Sequence, residues 1–351
     1  MKKNHLVLSL VAVSVLSSAC GGHPKQESCV SLSGAGATFP EPFYSMAFDT
    51  YSTQTSNTVS YGGIGSGGGV RNLKDEIVDF AGSDAFLSDE DMSEMKPVIH
   101  IPTCMGAVVL GYNLPGISEL RLSGEVIADI YAGVITRWDD VRIMALNPLT
   151  RLPEKDIVPI HRSDGSGTTF VFTHYLSQVS EAWKTKYGAS KSVDFPRGQA
   201  AKGNPGVAGL VSQTPYSIGY IGSEYALVQN IPMATLQNAS GKFVEPTLNA
   251  ISAAAKGDIP SDTRTMITNS PERDAYPISC FTWLIVYQEQ NYADRSEDQA
   301  KATVGLLKYM LSNSTQQSAH LVKYAPLPKS MVEISLENLK KITYNGKQIL
   351  E

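Results

Sequence analysis

The chain has 351 residues, 42% of them hydrophobic and 18% charged, and a formal net charge of −5. That length and composition belong to an ordinary globular protein able to bury sizeable cores and to divide into two lobes. An acidic balance, with no basic stripe and no Lys/Arg patch interleaved with aromatics, excludes nucleic acid as a partner.

The first element is an export signal. Met1-Lys2-Lys3 gives a positive start, residues 6–16 an apolar run too short to span a bilayer, and Ser17-Ser18-Ala19-Cys20-Gly21 a small-residue cleavage region. A cysteine directly after small residues resembles a bacterial lipobox, which makes residues 1–20 a lipoprotein signal peptide and Cys20 the lipidated first residue of the mature chain. Ser17 stands where that pattern usually has Leu. Residues 21–28 then read as a polar tether, and removal of the signal leaves 27 basic against 34 acidic residues, a formal charge of −7. Of the four cysteines, Cys29, Cys104 and Cys280 would remain, which allows one disulfide and one leftover thiol in an oxidising compartment. The pairing is open, and no cysteine or histidine shows the spacing of a metal site.

Along the mature chain, strand and helix patterns alternate. Residues 30–33 form a strand, and Phe43, Ala47 and Tyr51 recur at helical spacing after Pro40 and Pro42. Residues 59–61 form a second strand, followed by a helix stripe of Val70, Leu73, Ile77 and Phe80 and a short strand over 79–84 that ends in an acidic turn. Residues 107–112 and 281–287 are strongly β. Between them come a helix over 123–131, a strand over 157–160, a glycine turn with its helix, and a strand over 217–221, and residues 300–310 are helical. One α/β unit, then a second, then a return predicts two lobes joined by crossing strands: 29–104 with 278–351, and 105–277. Ligands of such sheets bind beyond the carboxyl ends of the strands.

Three glycine-rich segments carry the chemistry: Gly34-Ala35-Gly36-Ala37-Thr38-Phe39-Pro40, Gly62-Gly63-Ile64-Gly65-Ser66-Gly67-Gly68-Gly69, and Asp164-Gly165-Ser166-Gly167-Thr168-Thr169-Phe170. Each precedes a helix, whose first N–H groups lack internal partners and sit at the positive end of its dipole, and each carries a small hydroxyl. Glycines placed for tight turns account for any one of them, but not for all three with hydroxyls beside an Arg and two Asp. Arg162 and Asp164 flank the third, where the guanidinium can clamp an oxyanion and the carboxylate can fix it; a surface ion pair is the plainer reading of those two alone. Gly63-x-Gly65-x-x-Gly68 also fits a dinucleotide fingerprint, but an exported protein meets no dinucleotide pool. A secreted phosphate-handling hydrolase using Ser66 or Ser166 is the enzyme alternative. Neither serine lies in GxSxG, because Ile64 and Asp164 stand at the first glycine place, and the six His supply no acid and base with separate roles.

These segments, together with Asp79-Phe80-Ala81-Gly82-Ser83-Asp84-Ala85, Ile130-Tyr131-Ala132-Gly133, Trp138-Asp139-Asp140, Lys202-Gly203-Asn204 and Ile218-Gly219-Tyr220, resemble in order the signatures of the periplasmic phosphate-binding proteins of bacterial phosphate ABC importers. The resemblance implies an α/β, two-lobed type II periplasmic-binding-protein fold with the ligand in the interlobe cleft. It also implies inorganic phosphate as ligand, a membrane permease as partner, a monomer, no cofactor, and a periplasmic or cell-surface location with the membrane reached through lipid on Cys20. The implied contacts are the Thr38 hydroxyl and N–H, the Phe39 N–H, Ser66, Asp84, Arg162, Ser166, the Gly167 N–H and Thr168, with Asp164 holding Arg162. Phe86 departs from the family, where Pro is common. The chemistry of the ligand agrees: phosphate keeps a proton near neutral pH, so one carboxylate acceptor, Asp84, fits among many donors, whereas sulfate has no proton to give it. A binding protein for another tetrahedral oxyanion is the remaining alternative.

Overall fold

The computed structural model describes residues 29–350; the signal, Cys20 and the tether lie outside the described residues. Eleven strands precede the C-terminal helices: β1 (Ser31–Gly36), β2 (Thr58–Gly63), β3 (Phe80–Ser83), β4 (Val98–Tyr112), β5 (Arg121–Leu122), β6 (Val158–Arg162), β7 (Gln199–Ala201), β8 (Ser217–Gly222), β9 (Thr235–Gln237), β10 (Phe243–Val244) and β11 (Ser279–Tyr287). Eight of them form one sheet in the order β2-β1-β3-β11-β4-β8-β6-β7, and β10, β9 and β5 form a small second sheet.

The two outer parts of the large sheet are parallel, β1 with β2 and β3, and β6 with β7 and β8. Two antiparallel strands sit between them. β4 pairs with β11 from Val98 to Ala107 and then with β8 from Val108 to Tyr112, so a single strand passes from one half to the other and β11 runs back beside it. Both are buried almost throughout, which is why they read as unbroken apolar runs rather than alternating ones. β2, at the sheet edge, alternates between exposed and half-buried residues instead.

Three differences from the sequence reading have local causes. The stripe Val70, Leu73, Ile77, Phe80 is not one helix: the helix Ser66–Lys74 stops before Glu76, which adopts a φ of 57°, Ile77 is exposed, and Phe80 opens β3. Gly34, Ala35 and Gly36 belong to β1 rather than to a loop, paired with β2 and β3 on either side. β4 begins nine residues before the expected strand and contains Pro102, which has no N–H to give a ladder; its register with β11 shifts between Thr282 and Trp283, directly opposite. Cys29 is exposed, Cys104 and Cys280 are buried, and all three are free.

The core beside β1 and β3 is aromatic. Tyr44 stacks on Phe48 at 5.2 Å and meets Tyr61 edge-on at 5.1 Å, while Phe48 meets Phe80 at 5.7 Å. Such pairs each add about 1 kcal/mol beyond burial and hold the helix Glu41–Thr55 against the strands. β1, β3 and β6 end at Gly36, Ser83 and Arg162, and the segments that follow converge at the seam between the halves.

Candidate oxyanion-binding site

Two glycine turns meet across that seam. The helix Ser66–Lys74 starts after Gly65, whose φ of 86° and position require glycine, since a Cβ there would lie 2.3 Å from Asp164 Oδ2. The helix Gly167–Val179 starts after Ser166, whose Oγ caps it by accepting the Thr169 N–H at 3.0 Å. Gly67 N–H donates to the Gly165 carbonyl at 2.9 Å, and Gly167 N–H donates to Ser66 Oγ at 3.1 Å. A Cβ on Gly167 would stand 2.4 Å from that oxygen, so closure of the two turns depends on its absence. Ser66 Oγ also accepts the Asp84 N–H at 3.3 Å.

The third turn enters from β1. Pro40 is the cap residue of the helix Glu41–Thr55 and gives no side-chain bond, leaving Thr38 ahead of the helix start. Phe39 is fully buried; its carbonyl accepts the Tyr324 hydroxyl and its ring packs edge-on against Tyr324 at 6.0 Å, so its side chain anchors the turn.

The charged residues complete the site. The side chain of Arg162 is 1% exposed and that of Asp164 11%, so the pair is buried and not a surface bridge. Arg162 Nε and Nη2 donate to the two Asp164 oxygens at 2.7 and 2.5 Å, and Nη1 donates to Thr168 Oγ1 at 3.3 Å. Burial raises the Asp164 carboxyl, but its bonds from Arg162 and the Gly203 N–H more than offset this and hold it below the usual carboxylate range. Asp84 is held from one side, its Oδ1 accepting the Thr282 hydroxyl at 2.9 Å, while Oδ2 faces the Thr168 hydroxyl at 3.5 Å. Burial pushes the Asp84 carboxyl up to about 7, although Thr282, Arg162 and Thr168 each pull it down.

Thr38, Ser66, Asp84, Arg162, Asp164, Gly167 and Thr168 are therefore joined in one hydrogen-bonded cluster, with Ser166 and Phe39 beside them in the chain. Asn204 closes this cluster by donating to both Thr38 Oγ1 and Thr168 Oγ1. Residues that sequence reasoning did not assign to the site include Asn204, Thr282, Tyr225 and Glu224. The Lys202-Gly203-Asn204 segment was a usable signal for the first; Thr282 touches Asp84 from β11, 198 residues away, and has none. The Tyr225 hydroxyl donates to the Thr38 carbonyl across the seam. Phe86, the departure from the family, packs edge-on against Trp283 at 5.8 Å, with the Arg264 guanidinium 6.0 Å from its ring.

Glu224 is 2% exposed, and neither carboxyl oxygen makes a hydrogen bond of full geometry, although Tyr324 and Ser223 stand close enough to favour its charged form. Burial pushes it up to about 8, with Asp84 adding to the shift. An acid whose folded-state pKa lies above its unfolded value of about 4.3 costs stability as pH rises from the unfolded value to the folded one. Denaturation curves from pH 5 to 9 are expected to fall for wild type and to fall less for Glu224→Gln. The gap should open toward pH 8 and reach on the order of 2 kcal/mol, the scale of an uncompensated buried polar group. Parallel curves for the two proteins would contradict the assignment. Asp84 contributes with the same sign in both proteins, so the difference between the curves reports Glu224 together with its coupling to Asp84.

The arrangement offers many N–H and O–H donors and a guanidinium around the buried acceptor Asp84, with the second carboxylate, Asp164, turned onto the guanidinium, the pattern that suits a protonated oxyanion. The chain matches the family described as a PBP superfamily domain over residues 23–314. It is 38% identical over 307 residues to the phosphate-binding protein PstS of Haemophilus influenzae, covering 86% of this chain and 90% of that one. It is 36% identical to the phosphate-binding protein PstS of Methanocaldococcus jannaschii, covering 96% and 94% of the two chains. Among solved structures, a high-affinity periplasmic phosphate-binding protein (PfluDING) bound with phosphate aligns with a TM-score of 0.70 at 22% identity, over 87% of this chain and 92% of that one. That likeness is one of fold, the two-lobed α/β type II periplasmic-binding-protein fold.

Proposed function

This chain belongs to the family of PstS phosphate-binding proteins, and from that premise we propose that it binds one inorganic phosphate outside the cytoplasm and delivers it to the membrane permease of an ABC-type importer. The observation that carries the reading is the single cluster linking donors from three separate turns to the buried Asp84 carboxylate. In this reading the ion is held by the Thr38 hydroxyl and N–H, the Phe39 N–H, Ser66, Asp84, Arg162, Ser166, the Gly167 N–H and Thr168. Asp164 fixes Arg162. The protein is a monomer that binds without catalysis and uses no cofactor.

Residues 29–104 with 278–351 make one lobe and 105–277 the other, hinged where β4 and β11 pass between them. Residues 261–263, although within the second stretch, bond to β4, β11 and the helix Lys329–Leu339, so this part of the chain lies against the first lobe. Closing the lobes brings the three turns together and excludes water from the ion.

Calorimetric titration with phosphate, arsenate, sulfate and molybdate tests the reading. One site for phosphate and arsenate, with no turnover of a chromogenic phosphate ester, is the expected result. A protein that binds no phosphate, or hydrolyses the ester at enzymic rates, overturns it.

The export part of the reading rests on Lys2, Lys3, the apolar run 6–16 and Cys20, with lipid on Cys20 as the anchor. Among the described residues no helix is long and apolar enough to cross a membrane. Cys20→Ser is expected to move the protein from the membrane fraction to the soluble fraction, because the acyl chains supply the hydrophobic attachment. Wild type already soluble after fractionation would remove the lipid anchor and leave phosphate binding untouched.

A further inference from the structure

A hydroxyl has two acceptor lone pairs and one proton, so when N–H groups occupy both lone pairs it can act toward a ligand only as a donor. Thr38 Oγ1 is in that state: it accepts the Asn204 backbone N–H and the Asn204 Nδ2, both at 3.0 Å. Thr168 Oγ1 is in the same state, accepting Arg162 Nη1 at 3.3 Å and Asn204 Nδ2 at 3.1 Å. Asn204 is common to both. Its backbone N–H is free to be given away because it lies in the first turn of the helix Gly203–Gln213, where no carbonyl precedes it in the helix.

The amide orientation is fixed from behind. Asn204 Oδ1 accepts the Gly222 N–H at 2.9 Å, so Nδ2 must face the two threonines, and the side chain is fully buried. Thr38 follows β1 while Thr168 follows β6, so one amide spans hydroxyls that come from opposite sides of the seam. Building on the phosphate-binding reading, we propose that Asn204 is a positioning residue that fills both acceptor lone pairs of the Thr38 hydroxyl and, with Arg162, those of the Thr168 hydroxyl, and thereby aims both protons at the anion. It makes the two hydroxyls obligate donors, which favours an oxyanion over a neutral ligand and preorganises the site before the ion arrives. The proton of Thr168 has a second claimant in Asp84 Oδ2 at 3.5 Å, a long contact from which a phosphate oxygen can take it over.

The test is a set of double-mutant cycles read by phosphate calorimetry. Asn204→Ala, Asn204→Asp, Thr38→Val and Thr168→Val are made singly, and each Asn204 variant is combined with each valine variant. Asn204→Asp keeps the shape and the acceptor for Gly222 N–H, but turns the groups facing the threonines into acceptors that draw their protons inward. Asn204→Ala is expected to weaken phosphate binding about tenfold or more in the wild-type background, the scale of a lost hydrogen bond to a charged group, and Asn204→Asp further. In either valine background the loss caused by each Asn204 variant should shrink at least about threefold, because one of the hydroxyls that it acts through is gone. Charge repulsion from the carboxylate that Asn204→Asp introduces is the same in both backgrounds and cancels in the cycle.

Thermal unfolding without phosphate checks that each variant folds, and Asn204→Asp carries the test if Asn204→Ala does not. Losses that multiply unchanged in both valine backgrounds would overturn the proposal, since a packing role or a direct contact with the ion would not pass through the hydroxyls. Wild type that binds no phosphate would instead overturn the functional reading on which it stands.

Discussion

Removing the Arg162 guanidinium, as in Arg162→Ala, is expected to weaken phosphate binding by on the order of 2 to 4 kcal/mol, or roughly 30- to 1,000-fold. The side chain is 1% exposed and two of its nitrogens are taken by Asp164, which leaves Nη1 beside Thr168 as the group turned toward the cluster. A charge-assisted bond in so dry a site has no water to replace it. Asp164→Asn should cost less than Arg162→Ala, because the Asn oxygen can keep the Nε bond while the guanidinium stays and its charge is freed for the anion, although the amide nitrogen cannot accept Nη2. Asp164 also accepts the Gly203 N–H at 3.1 Å, a bond that the Asn oxygen can keep. Isothermal titration of the two variants separates the cases. Equal and small losses would mean that the pair only braces the turn.

The second large effect concerns selectivity. Asp84→Asn is expected to raise sulfate binding relative to phosphate by about tenfold for each 1.4 kcal/mol of relieved repulsion. Asp84 Oδ1 is committed to Thr282, so Oδ2 is the oxygen that meets an anion, and it can accept a proton from phosphate but only repel fully ionised sulfate. Burial places the Asp84 pKa at about 7, which fixes the sign of a pH test. Below that value the acid is protonated and can donate to sulfate; above it the carboxylate must take up a proton first. Wild-type sulfate affinity should therefore fall as pH rises through about 7, by at most tenfold per unit, while the Asp84→Asn protein shows no such fall. Arsenate, which keeps a proton near neutral pH, should follow phosphate in both proteins. An Asp84→Asn protein that excludes sulfate as strongly as wild type would place the filter elsewhere.

Much of the site was legible because it is built from local grammar. Ser66, Ser166, Gly167 and Thr168 each follow a strand and a glycine turn at a helix start, and Arg162 and Asp164 lie within four residues of the third turn, so their neighbourhood is set by the chain beside them. Asp84 stood out as an acid at the end of a short strand. Thr282 and Tyr225 were not legible: a threonine in an apolar strand and a tyrosine near a helix start look like packing until the fold sets them against Asp84 and the Thr38 carbonyl. The helix stripe through Ile77 and Phe80 fails for the converse reason. Periodicity carried on past Lys74, but the chain turns at Glu76, and Phe80 is claimed by β3 between β1 and β11.

By itself, the sequence determined the α/β alternation, the long apolar strands and the three helix starts that present hydroxyls and bare N–H groups. These follow from backbone geometry and side-chain spacing over a few residues, and such rules act wherever the residues occur. Only the tertiary structure decided that the Arg162–Asp164 pair is buried, that burial pushes Asp84 up to about 7, and that the lone pairs of Thr38 are already occupied by Asn204 and those of Thr168 by Asn204 and Arg162. Loss of water and the direction of a hydroxyl proton depend on groups that arrive from 36 to 198 residues away, and no window along the chain contains them.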